Sequence, residues 1–119
     1  MTRRIAILTQ LNAVGGLQPQ PLACNLKALT SAQRAEHAKR SLLLFSSVRE
    51  RRQLANGFSF RLDSPGLLPL DEAARWIDLE RRCCPFLHFG LDVDPAATWL
   101  RLTGPPGVKE FLRAELKLD

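Results

Sequence analysis

The stretch from Pro69 to Phe89, PLDEAARWIDLERRCCPFLHF, constrains the fold more than any other part of the chain. Pro69 suits the first turn of a helix, Asp71 and Glu72 suit its positive end, and Pro85 stops it. The helix therefore ends on two adjacent cysteines and passes directly into an apolar strand. At about 100° per residue, Ala73, Trp76, Ile77, Cys83 and Cys84 share one face, while Arg75, Asp78 and Arg82 point the other way. Glu80 falls in the middle of the apolar face. A carboxylate in that position must be paired, hydrogen-bonded or protonated, so it calls for a partner. It also lies three and four residues before the cysteines, which puts the three side chains on adjacent turns.

The rest of the chain reads as elements that cover this helix. Thr30-Ser31-Ala32-Gln33 is a capping box and predicts a helix over 31–46 with Ala35, Ala38, Leu42 and Phe45 on its buried side. His37 then lies on the outer side, at the surface. Val48 to Asp63 reads as a hairpin turning at Asn56-Gly57, the dipeptide of a type I′ turn. Phe58, Phe60 and Leu62 alternate with polar residues, and the charged strand Val48 to Leu54 suits an edge, free to pair across a homodimer or to stay protected. After Pro85, a second hairpin alternates Leu87, Phe89, Leu91 and Val93 with His88, Gly90, Asp92 and Asp94, turns near 94–97 and returns over 98–102. A last helix follows the Gly104-Pro105-Pro106-Gly107 turn, with Val108, Phe111, Leu112, Glu115 and Leu116 at helical spacing. Phe60 to Gly66 and Leu100 to Gly107 repeat weakly, so each copy is a hairpin, a Pro-Gly turn and a helix. These elements predict an α+β fold with a mostly antiparallel sheet of about four strands and helices packed on one face. A short strand over 21–26 would make a ferredoxin-like βαββαβ core the alternative.

At 119 residues the chain fits one domain large enough for a core without staples. Residues 20–119 form that domain, and residues 1–19, before GGLQPQP gives way to it, read as a flexible or extended tail. No apolar run reaches the roughly 18 to 20 residues of a membrane span. The basic, briefly apolar start is broken by Thr9, Gln10 and Asn12, which argues against a signal peptide and for a cytoplasmic location. Three cysteines, an odd number, then read as reduced thiols and not as a secreted disulfide framework. A net charge of +5, with local groups at Arg49, Arg51, Arg52 and at Arg81, Arg82, is a mild pull toward nucleic acid.

The ordinary account of the cysteines is packing, because free cysteine behaves as a small hydrophobe. The chemical account brings Cys24, Cys83, Cys84, Glu80 and His88 together. Pro85 disfavours a helical backbone at Cys84, which lets the second thiol swing away from the helix direction. A third thiol from Cys24 makes a trigonal S₃ set of the kind soft metal and metalloid ions prefer, such as copper(I), mercury or arsenite. Glu80 or His88 could complete a tetrahedral set for zinc, although the CxxC spacing of structural zinc sites is missing. A redox role would use a strained Cys83–Cys84 disulfide with Cys24 as resolving thiol. The negative pole of the helix end disfavours a thiolate there. A Cys-His-acid arrangement can also be drawn from Cys83 or Cys84, His88 and Glu80.

Trp76, the run Glu80-Arg81-Arg82-Cys83-Cys84-Pro85-Phe86-Leu87 and the later Leu100-Arg101-Leu102-Thr103-Gly104-Pro105 resemble a group of small bacterial proteins with a W-x-x-x-E-R-x-C-C-P-F-L motif. The resemblance covers about residues 20 to 117 and includes the lead-in Pro21 to Cys24. It implies that Cys24, Glu80, Cys83 and Cys84 act as a set, without an activity to carry over. Three readings follow. The first is a cytoplasmic protein that binds a soft metal or metalloid ion for sensing, sequestration or detoxification. The second is a small thiol enzyme or redox protein using the same residues. The third is a basic nucleic-acid-binding module using Arg49, Arg51, Arg52 and Arg101, with structural cysteines.

Overall fold

The computed structural model describes residues 22–62 and 68–118. The expected tail at 1–19, and the first Pro-Gly turn at 63–66, lie outside the described residues. A single 3₁₀ turn, Leu26–Ala28, leads into α1 (Ser31–Ser46), β1 (Val48–Leu54), β2 (Gly57–Leu62), α2 (Pro69–Cys83), β3 (His88–Val93), β4 (Thr98–Thr103) and α3 (Val108–Glu115). The sheet has the order β1–β2–β4–β3 with every neighbouring pair antiparallel. The fold is α+β, as the alternation of hairpins and helices predicts. Residues 22–25 carry no regular structure, so the strand considered over 21–26 is absent from its described part.

Each element starts and stops where local chemistry demands. Thr30 Oγ1 accepts from the Gln33 amide while Gln33 Oε1 accepts from the Thr30 amide, so α1 has the reciprocal cap its sequence predicts. Asp94 Oδ1 accepts from the amides of Ala96 and Ala97 and closes the β3–β4 turn. Gly107 adopts φ 95° as the N-cap of α3, a left-handed backbone that glycine takes without Cβ strain.

The first hairpin differs from its prediction by one residue. Leu54 pairs with Gly57, so Ala55 and Asn56 are the loop residues, and among the described residues the only glycine with positive φ is Gly107. A type I′ turn centred on Asn56-Gly57 is therefore not formed. Gly57 serves a different purpose: a Cβ placed there would meet the Leu102 carbonyl oxygen at 1.9 Å. Close approach of β4, and not the turn, is what requires glycine.

Phe58, Phe60, Leu62, Leu100 and Leu102 from the inner sheet face pack with Ala73 and Trp76 of α2 and Val108 and Leu112 of α3. Trp76 sits at the centre, edge-on to Phe45 and Phe89. Burying these aromatic and branched side chains contributes roughly 1.5–3 kcal/mol each. Its indole N–H donates to Ser41 Oγ at 2.7 Å, which supplies the partner a buried tryptophan needs.

The buried side of α1 is not the one expected. His37 and Leu44 are buried and Phe45 packs half-buried against Phe60 and Trp76, while Ala35, Ala38 and Leu42 are exposed, Leu42 to 74%. The helix is turned by roughly a third of a circle from the orientation that apolar spacing alone predicts. Polar contacts with α2 set it: Arg40 Nη1 to Glu72 Oε1 at 2.6 Å, Ser41 to Trp76, and His37 to Glu80. Among the described residues, no helix is long and apolar enough to cross a membrane.

Candidate functional site

The site forms where α2 ends. Cys84 leaves the helical region, with φ −123° and ψ 72°, as a residue before proline should. Its amide still donates to the Glu80 carbonyl at 2.8 Å, so the chain bends without freeing the thiol from the core. The lead-in segment is clasped against this bend, because the Asn25 amide donates to the Cys83 carbonyl at 2.6 Å. That contact brings Cys24 to the cysteine pair across a separation of 60 residues.

The three sulfurs lie within 4.8 Å of one another. Cys24 and Cys84 are joined as a disulfide, and Cys83 is a buried free thiol whose Sγ is 3.8 Å from that of Cys84. The expectation of three reduced thiols is corrected: Cys84 is bonded to Cys24, and not to Cys83 as the redox alternative would have it. Cys84 takes the half-buried Cys24 as its partner and leaves its neighbour Cys83 as the free thiol.

Glu80 is 5% exposed and finds its partner in His37, whose Nε2 lies 2.6 Å from Glu80 Oε1. His37 also stacks on Trp76, with centroids 5.8 Å apart and an interplanar angle of 21°. Its other ring nitrogen, Nδ1, is buried and without a hydrogen-bond partner. Cys83 donates to the Glu80 backbone carbonyl at 3.5 Å and sits 4.0 Å from Glu80 Oε1. His37, Glu80 and Cys83 thus make a second group of convergent donor atoms that shares Cys83 with the sulfur group. Burial, then the neighbouring Glu80 carboxylate and the more distant Glu115, push the Cys83 thiol up to about 11 against a backbone hydrogen bond that lowers it. Burial and the Glu80 charge likewise raise the Glu115 carboxyl above its ordinary value.

His88, expected beside the cysteines, is exposed at the start of β3 opposite Thr103 and belongs to neither group. The histidine of the site is His37, which apolar spacing places on the surface. A signal for it exists in hindsight: Gln33, His37, Arg40, Ser41 and Leu44 recur at helical spacing, and the lone carboxylate on the facing α2 stripe needs a donor. Of the arginines considered for nucleic acid, Arg52, which pairs with Glu50 and lies over Trp99, and Arg101, which pairs with Asp92, share one sheet face, whereas Arg51 lies over Phe58 on the other.

A cavity of about 580 Å³ opens onto the site between α1, the lead-in segment and the end of α3. Cys24, Cys83, His37 and Glu80 are among its lining residues, with Ala38, Leu42 and Phe45 of α1 on one wall. Cys84 does not line it. Comparison of the chain with family models, curated proteins and solved structures gives no match.

Proposed function

We propose that this protein binds a thiophilic metal or metalloid ion through Cys24, Cys83 and Cys84, with the Cys24–Cys84 bond as the gate. The observation that carries the reading is the convergence of three sulfurs within 4.8 Å from two segments 60 residues apart. Three thiolates are the donor set that soft ions take in preference to nitrogen and oxygen ligands. With the disulfide closed only Cys83 is available, so the ion enters the reduced protein, as it would in the reducing cytoplasm we assign to it. Sensing, sequestration or detoxification would each use such a site. His88 is left out of the donor set and Glu80 is held by His37.

The test is stoichiometric. The phosphine-reduced chain is titrated with arsenite, Hg²⁺, Cu⁺ or Zn²⁺ while free thiols are counted. The reading predicts one soft ion per chain that protects three thiols, with no such protection in a Cys83→Ser/Cys84→Ser variant. Thiols that stay unprotected by every soft ion, and react only on denaturation, would make the cysteines core residues.

A second reading, thiol–disulfide exchange, is favoured by the 3.8 Å between Cys83 Sγ and Cys84 Sγ. Cys83 as thiolate would attack Cys84 and release Cys24 as the leaving thiolate. The raised Cys83 thiol opposes the step, because the thiolate is the nucleophile. Rapid mixed-disulfide formation near neutral pH would favour this reading over the first.

A further inference from the structure

A bare ion held by three sulfurs needs no room beyond its donors. The cavity beside them holds about 580 Å³, roughly twentyfold the 30 Å³ share of a water molecule and within the range of pockets that take organic ligands. Ala38, Leu42 and Phe45 lie on its wall; sequence spacing assigns all three to the core, and Ala38 and Leu42 are instead exposed at this opening while Phe45 packs half-buried at its edge. Of the three cysteines, Cys24 and Cys83 line the cavity, whereas Cys84 is fully buried and does not.

We propose that the site takes a thiophilic centre still carrying one organic substituent, bound by Cys24 and Cys83 with the substituent in the cavity. This rests on the thiophilic reading above and names its substrate class. A centre with three open positions uses all three sulfurs, and a mono-substituted one has two positions left. Two of the three cysteines line the space where a substituent would lie, and that match of donor count to lining carries the assignment.

The chemistry balances without a redox change at the bound centre. A mono-organoarsenous acid, R–As(OH)₂, reacts with two thiols: two As–O and two S–H bonds break, two As–S bonds form, and two waters leave. Arsenic stays trivalent and the R–As bond is untouched. The product carries no net charge, which suits a buried Cys83 next to the Glu80 carboxylate. His37 lines the same cavity beside Cys83 and Glu80. The Cys24–Cys84 bond is opened beforehand by a water-soluble phosphine, which becomes the phosphine oxide with oxygen from water while sulfur gains two electrons. A dithiol reductant would compete for the arsenic.

The experiment compares phenylarsenoxide with inorganic arsenite on the reduced full chain and on Cys84→Ser and Ala38→Trp variants, each checked for fold by circular dichroism. For Cys84→Ser the inference expects phenylarsenoxide affinity within about threefold of the parent and arsenite weakened at least about tenfold. For Ala38→Trp, which narrows the cavity, it expects the reverse order of losses. Equal losses for both compounds in both variants would overturn it while leaving the thiophilic site standing. A parent chain that binds neither compound would remove the thiophilic reading itself. Should Cys84→Ser fail to fold, alkylation of the loaded parent, carried out in denaturant so that the buried Cys84 is exposed to the reagent, decides. One thiol labelled at Cys84 after phenylarsenoxide, and none after arsenite, is the expected result; a label at Cys24 or Cys83 overturns it.

Discussion

Replacing Glu80 and His37 singly and together gives a steep and opposite pair of outcomes. Both are buried, at 5% and 8% exposure, and their side chains meet at 2.6 Å. His37→Leu leaves the Glu80 carboxylate in the core without its partner, a change that costs about 3–5 kcal/mol. Glu80→Leu leaves both ring nitrogens of His37 unpartnered, since Nδ1 already has none, at a cost of about 1–3 kcal/mol. The double variant His37→Leu/Glu80→Leu removes both polar groups at similar volume, and such replacements fall near neutral or stabilise. The coupling energy between the two sites should therefore be at least about 3 kcal/mol. Urea unfolding of the oxidised protein reads this directly. In thermal unfolding His37→Leu should lower Tm by more than about 10 °C at roughly 4 °C per kcal/mol. If the double variant loses the simple sum of the two single losses, the pair is not a buried mutual requirement and the orientation of α1 needs another cause.

Opening the Cys24–Cys84 bond should cost up to about 4 kcal/mol for a closed loop of 60 residues, and saturating soft ion at about 100 times its dissociation constant should restore about 2.7 kcal/mol in the reduced chain; reductive and ion-loaded melts check both. Because the folded Cys83 thiol titrates at about 11 against an ordinary 9.0, the folded chain holds this proton where the unfolded chain gives it up. Stability from this group is full below pH 9 and falls as pH rises toward 11, and Cys83→Ser should flatten that part of the profile. Alkylation of native Cys83 should likewise stay slow at pH 8 and climb about tenfold per pH unit, whereas a pH-independent fast rate would contradict its burial beside Glu80. Gly57→Ala should cost at least about 1–3 kcal/mol by overpacking against β4, because the new Cβ meets the Leu102 backbone and not a movable side chain.

The parts of this fold that were legible in the sequence are those fixed by local chemistry. The Thr30 to Gln33 capping box set the start of α1, Pro69 and Pro85 bracketed α2, and Asp94 marked the β3–β4 turn. The need of Glu80 for a partner was also legible, since it follows from one residue's place on one helix face. The identity of that partner was not. His37 is 43 residues away, and only the rotation of α1 against α2 brings it in. That rotation is decided by three polar contacts that outweigh the apolar stripe of Ala35, Ala38 and Leu42. The same limit applies to His88, which stands near the cysteines in sequence while the strand it begins points it to solvent. The Asn56-Gly57 turn was misplaced because glycine has two uses, positive φ and close approach, and the sequence does not distinguish them. The reach of Cys24 depends on the Asn25 to Cys83 backbone bond, a contact with no residue-specific signature.

The account stands most directly on the three sulfurs acting as one donor set. X-ray absorption at the edge of arsenic in the arsenite-loaded, reduced chain counts the atoms bound to it. The account predicts a first shell of three sulfurs and no oxygen or nitrogen, reduced to two sulfurs in Cys84→Ser. A shell that keeps oxygen neighbours in the parent chain, or that is unchanged by the substitution, would contradict it.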